Sequence, residues 1–95
     1  KYSQTFQSRL AGDKWLTPYT DVEINKMPEQ GIKKLADVTP AFVADCLETL
    51  EEIAMEANEQ FLHHGGEEFM AIPCMNDEDE WCGVVANWIK EFKKV

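Results

Sequence analysis

The stretch that decides the fold is residues 39–66, which read TPAFVADCLETLEEIAMEANEQFLHHGG. Apolar side chains recur in it every three or four residues, which is the spacing of one face of an α-helix. These side chains are Phe42, Val43, Cys46, Leu47, Leu50, Ile53, Ala54, Ala57 and Phe61. Thr39 is a suitable N-cap, Pro40 suits the first helical position, and the glycines at 65–66 can end the helix. The sequence therefore predicts a long amphipathic helix over about 40–64.

A second amphipathic helix is predicted over about 77–94. Acidic residues crowd its first turn, and Lys90, Lys93 and Lys94 occupy its last turn, so both ends match the helix macrodipole. Its apolar face contains Trp81, Val84, Val85, Trp88, Ile89 and Phe92. Gly83 costs about 1 kcal/mol in a helix interior relative to Ala. A neighbouring helix packed closely against this glycine would explain its presence.

The first 38 residues are less regular. Residues 2–10 suit a short helix, and residues 17–27 suit another that begins at a Thr-Pro pair. Apolar alternation at 22–24 leaves a short strand open there. Residues 28–36 are compatible with one more short helix.

Length and composition favour a single folded unit. The chain has 95 residues, of which 44% are hydrophobic, so one core fits and separate cofactor and substrate domains do not. Residues 66–75 are expected to form an ordered, partly buried connection. We therefore predict one all-α domain over 1–95, compact and built from four or five helices.

Charge is unevenly distributed along the chain. The net charge is −9, and residues 35–89 contain 13 acidic side chains but no Lys or Arg. Such a surface repels nucleic acid and anionic membranes, so we expect direct binding to neither. It favours a basic partner instead.

Two groups of carboxylates are the candidate partner-binding residues. The first lies opposite the apolar face of the 40–64 helix and spans roughly 20 Å; it comprises Asp45, Glu48, Glu52, Glu56 and Glu59. The second lies at the start of the next helix and comprises Asp77, Glu78, Asp79 and Glu80. Glu48, Glu52 and Glu56 are expected to carry most of the binding, because a capped, half-buried helix holds them rigidly.

These features predict a small acidic binding module rather than an enzyme. In size and charge the chain is similar to the immunity proteins that bacteria pair with nuclease toxins. The expected partner is a basic protein such as a nuclease toxin, which regularly placed carboxylates would attract and inhibit. No catalytic residue, cofactor or metal ligand is assigned. A cytoplasmic location is favoured, although the missing initiator Met leaves a periplasmic or secreted protein open.

Two alternatives remain at this point. His63, His64, Cys74 and Cys82 suit a metal- or redox-responsive protein, although their spacing matches no strong zinc motif. The second alternative is a helical subunit of a larger assembly, in which the apolar faces of the two long helices complete a partner's core.

Overall fold

Helices and short strands alternate along the chain. The structure is a computed structural model that describes residues 1–93. Within these residues the order is α1 (Thr20–Lys26), a 3₁₀ turn (Met27–Gln30), β1 (Lys34–Asp37), a π-helix (Glu48–Ala57), α2 (Asn58–His63), β2 (Glu68–Ala71) and α3 (Asp79–Lys93). The π-helix runs directly into α2, and we call the two together the central helix.

The two strands form a parallel pair. The register places Leu35 beside Phe69 and Asp37 beside Ala71. Parallel neighbours need a crossover connection, and the central helix supplies it between β1 and β2. Residues 34–71 are therefore a βαβ unit, with α1 packed against the central helix.

The core lies where α1, the central helix and the sheet meet. Its buried members are Ile24 from α1 and Ile53, Ala57 and Phe61 from the central helix. Phe61 is fully buried, and its ring centroid lies 5.9 Å from that of Phe69 on β2. One face of the central helix is thus covered, which leaves the opposite face for charged side chains.

The predicted all-α fold is wrong, because residues 34–37 and 68–71 form a sheet. Each strand has only four residues, with alternate side chains half-buried. So short an alternation does not stand out from the sequence around it. The helix expected over 28–36 is replaced by the 3₁₀ turn and β1, and the connection at 66–75 contains β2.

The central helix begins later than predicted. Residues 40–46 precede it, and its regular part starts at Glu48 with π-type bonds rather than at Pro40. Thr39 does not cap it, because the Thr39 hydroxyl pairs with the Cys74 thiol at 3.5 Å. The helix ends at His63, and Gly65 follows with φ +104°, as the glycine pair predicts.

The first part of the chain also differs from the prediction. Residues 2–10 are not helical; Phe6 instead forms an isolated parallel bridge with Tyr19. The helix expected over 17–27 is shorter, at Thr20–Lys26. It includes Val22 and Ile24, so no strand forms at these positions.

Helix α3 begins at Asp79 rather than near Asp77. Its predicted end at Lys94 lies outside the described residues. None of its described residues is buried. A Cβ placed on Gly83 would meet no described atom within 4 Å apart from the adjoining residues and backbone of its own helix, so the close helical neighbour expected there is absent from residues 1–93. No helix in the described part of the chain has the length and apolarity to cross a membrane.

Candidate functional site

An acidic cleft lies between α1 and the central helix. Its volume is about 240 Å³. Three carboxylates predicted to bind a partner, Glu52, Glu56 and Glu59, line it together with Asp21 from α1. The remaining lining residues are Gln7, Thr20, Ile24, Asn25, Ile53, Ala57 and Gln60. Four of its eleven described lining residues are therefore acidic, and none is basic.

Glu52 is held in place by the N-terminal segment. The Ser8 backbone N–H donates to Glu52 Oε1 at 2.9 Å, and the Ser8 hydroxyl donates to Oε2 at 2.6 Å. Ser8 has φ +61°, an uncommon conformation for a residue other than glycine. The neighbouring Gln7 amide donates to the carbonyl oxygen of Glu48 at 2.9 Å. This segment thus fixes the first turns of the central helix.

Asp45 lies in the loop before the helix, at the centre of a hydrogen-bond network. Its carboxylate accepts from Asn76 Nδ2 at 2.8 Å, from the Thr49 hydroxyl at 2.8 Å and from the Cys74 N–H at 3.2 Å. Its own N–H donates to Asn76 Oδ1 at 2.8 Å. The network joins the loop before the central helix to the loop after β2.

Three carboxyl groups near this loop have shifted pKa values. The hydrogen bond from Asn76, followed by that from Thr49, lowers the pKa of Asp45. The Cys46 side chain and the backbone N–H of Glu48 lower the pKa of Glu48, which is therefore ionised at neutral pH. Burial raises the pKa of Asp37 at the end of β1, because a low-dielectric environment disfavours the charged form.

The structure splits the predicted groups of carboxylates. Glu48, Glu52 and Glu56 lie on the π-helix and Glu59 on α2, whereas Asp45 is outside the helix. The second group is exposed and does not line the cleft; Asp77 and Glu78 precede α3, and Asp79 and Glu80 form its first turn. Whether these groups bind a partner stays a prediction.

The residues of the metal or redox alternative are not gathered into one site. His63 and His64 are exposed at the end of α2, and the Nδ1–H of His64 donates to the Gln60 carbonyl at 2.7 Å. Cys74 is buried, Cys82 is exposed, and both thiols are free. Among residues 1–93 no cluster of three or more His, Cys, Asp or Glu is placed to hold a metal ion.

Comparison with known proteins identifies the family. The sequence model of the ferrochelatase family matches residues 1–93. The chain belongs to the ferrochelatase family. No solved structure matches it.

Several bacterial ferrochelatases are similar to the chain over most of its length. The ferrochelatase of Pseudomonas putida is 52% identical over 87 residues, which cover 92% of this chain and 26% of that protein. Those of Rhodopseudomonas palustris and Nitrobacter hamburgensis are both 59% identical, over 81 and 85 residues; the matches cover 85% and 90% of this chain and 24% and 25% of those proteins. The chain thus spans about a quarter of the length of these relatives.

Membership of an enzyme family overturns the functional interpretation of the sequence. The chain is not an immunity or antitoxin-type inhibitor, and the expectations of a non-enzyme and of a basic toxin partner are wrong. The physical reason is that a carboxylate surface attracts any cation. Charge alone does not distinguish a basic protein from a metal ion.

Sequence reasoning missed Asn76, Ser8 and Gln7. Asn76 has φ +49°, and its side chain donates to Asp45, which lies 31 residues earlier in the sequence. An Asn before an acidic helix start signals a turn, but it does not show which distant carboxylate the amide reaches. Ser8 and Gln7 carry no sequence signal for their bonds to the central helix.

Proposed function

We propose that the chain is the part of a ferrochelatase that presents carboxylates to the metal-ion substrate during its insertion into a porphyrin. The observation that carries this proposal is the cleft that brings Glu52, Glu56 and Glu59 together with Asp21. The reaction is inferred from family membership.

The lining of the cleft suits the attraction of a divalent metal ion rather than its coordination, because among the described residues no three of these carboxylates are placed to hold one ion. Iron(II) accepts carboxylate oxygen ligands as well as imidazole nitrogens. No described residue in the lining is Lys or Arg. Arg9, which lies outside the lining, pairs with Asp21 at 3.5 Å, so the attraction rests on the three glutamates of the central helix. The buried Oδ1 atom of Asn25, another lining residue, has no hydrogen-bond partner among the described residues.

The wider charge distribution supports the same role. Residues 35–89 contain 13 acidic and no basic side chains, and one-signed charge along a cleft raises the local concentration of the opposite ion. This is the observation that first favoured a basic protein partner. A small divalent cation satisfies it equally well.

Glu48, at the start of the central helix, does not line the cleft but precedes the first of its glutamates along the helix. It lies four residues before Glu52, on the same π-helical segment, and π-helical segments are frequent at functional sites. Its pKa is lowered by the Cys46 side chain, so the carboxylate is negative at neutral pH and attracts the cation. Metal insertion also releases the inner N–H protons of the porphyrin, so the reaction needs groups that accept protons.

A chimeric enzyme tests the proposed function. Residues 1–93 replace the matching segment of the Pseudomonas putida ferrochelatase, and the loss of porphyrin fluorescence measures insertion of iron(II) without oxygen. We expect the chimera to insert iron. A folded chimera that binds porphyrin but inserts no metal would contradict the proposal.

Paired substitutions on the central helix test the cleft itself. Exchanging Glu56→Gln and Glu59→Gln together should lower kcat/KM for the metal ion by roughly 10–100-fold, mainly through KM. Glu51→Gln is the matched control, because Glu51 is exposed on the same helix and does not line the cleft. An equal effect of both changes would show that general surface charge, and not the cleft, attracts the metal ion.

A further inference from the structure

Asn76 is bound to the loop before the central helix through three of its polar groups. Its side chain accepts the N–H of Asp45 through Oδ1 and donates to Asp45 Oδ2 through Nδ2, both at 2.8 Å. Its backbone N–H donates to the carbonyl of Val43 at 2.9 Å. One residue after β2 therefore fixes two residues that lie more than 30 positions earlier.

The backbone of Asn76 suits this role. Its φ of +49° lies in the left-handed region, which Asn adopts more readily than most residues because its side chain can form local hydrogen bonds. Here Nδ2 also donates to the carbonyl of Cys74 at 3.1 Å. The side chain of Asn76 thus stabilises its own turn in addition to binding Asp45.

The contacts continue from Asp45 into the central helix. The other oxygen of Asp45 accepts from the Thr49 hydroxyl at 2.8 Å, and Thr49 Oγ1 accepts the N–H of Cys46 at 2.9 Å. Glu48 lies between Cys46 and Thr49, so the backbone on both sides of Glu48 is tied to this network. The Asp45–Asn76 pair therefore helps to set the direction in which Glu48 leaves the loop, together with the Gln7 amide that donates to the Glu48 carbonyl.

We propose that Asn76 is a positioning residue for metal insertion. By holding Asp45, it fixes the position of Glu48, the carboxylate that precedes the cleft glutamates on the central helix. This inference rests on the proposed function. Asn76 does not line the cleft and acts through Asp45 and Thr49. The bonds that it donates also favour the charged form of the Asp45 carboxylate, whose pKa they lower.

Two substitutions in the chimera distinguish the contribution of the Asn76 side-chain amide from that of its positive φ. Asn76→Gly keeps a residue that accepts positive φ but removes both side-chain bonds to Asp45. Asn76→Asp keeps an oxygen for the N–H of Asp45 and places a second carboxylate against the first. We expect each to lower kcat by roughly 10–100-fold, with little change in KM for porphyrin.

The pH profile distinguishes positioning from a loss of stability. Two adjacent carboxylates share a proton at acidic pH, so the defect of Asn76→Asp should shrink as pH falls, whereas that of Asn76→Gly should not. Combining Asn76→Asp with Asp45→Asn restores an amide–carboxylate pair and should recover part of kcat. If the loss of kcat in both variants follows the fall in melting temperature and does not change with pH, the inference is overturned.

Hydrogen exchange gives a readout that does not require activity. In both single variants the amides of residues 45–49 should exchange faster, while those of residues 58–63 should stay protected. If the parent chimera is inactive, the proposed function fails and this measurement alone decides on Asn76. Unchanged protection of residues 45–49 would then overturn the positioning role.

Discussion

The central helix and α3 are both amphipathic, yet they lie in different environments. In the central helix Ile53 is 3% exposed and Phe61 is 0% exposed. In α3 no described residue is buried, and the side chains of Trp88 and Phe92 are 57% and 80% exposed. The comparison shows that apolar periodicity predicts a helix but does not predict what covers it.

Topology accounts for the difference. The central helix connects two parallel strands, so the chain must fold it back onto the sheet and against Phe69. Helix α3 follows β2 without returning to a strand within residues 1–93. Its clearest side-chain packing is internal, with Trp81 and Trp88 edge to face at 5.7 Å between ring centroids.

The largest loss of stability is expected from Phe61→Ala in the central helix. Removing a fully buried ring from a core of four buried residues leaves a cavity and should cost about 3–5 kcal/mol of the free energy of unfolding. Urea unfolding of the 95-residue chain, followed by circular dichroism, measures it. Trp88→Ala is the matched change on α3 and should stay within about 0.5 kcal/mol.

A substantial loss of unfolding free energy in Trp88→Ala would contradict the difference drawn between the central helix and α3. It would mean that the indole is covered in solution, for example by a second copy of the chain. A mass measurement by light scattering at the same concentration tests that explanation, because a self-associated chain has a stability that depends on concentration.

An intermediate loss of stability is expected from Gly66→Ala, which lies against the core residue Phe61. A Cβ at Gly66 would collide with the ring carbons of Phe61 and would lie 2.7 Å from the Phe61 carbonyl oxygen. That oxygen also accepts the N–H of Gly66 at 2.9 Å. Because the ring is fully buried and the carbonyl is backbone, the substitution should destabilise the chain by about 1–3 kcal/mol. A neutral result would show that Phe61 is loosely packed.

The sequence predicted the helical elements better than the sheet. The nine apolar positions of residues 39–66 suffice to predict a central helix, and Gly65 marks its end. Its start was misplaced because the Thr39-Pro40 pair is a local signal, whereas the bonds of Thr39 and Asp45 to residues 74–76 are long-range. The strands were missed because each has only four residues and no distinctive pattern.

The candidate site was predicted in part. The acidic residues of the helix were singled out, and Glu52, Glu56 and Glu59 do line one cleft. The basic protein partner inferred from them is wrong, because net charge carries no information on the size or coordination chemistry of a ligand. Ser8 and Asn76 could not be found, since hydrogen bonds across 44 and 31 residues leave no trace in local sequence.

The smallest effect is expected from Gly83→Ala in α3, and its sign is the most informative. Gly83 lies in the helix interior with no described atom within 4 Å of an added Cβ, so alanine should stabilise the helix by about 0.5–1 kcal/mol. The amides of residues 84–93 should then exchange about two- to fivefold more slowly. Ala86→Gly, an exposed position in the same helix, should give a change of similar size and opposite sign. If Gly83→Ala instead accelerates exchange while Ala86→Gly behaves as expected, a close neighbour covers Gly83 in solution, and α3 is packed as its sequence predicts.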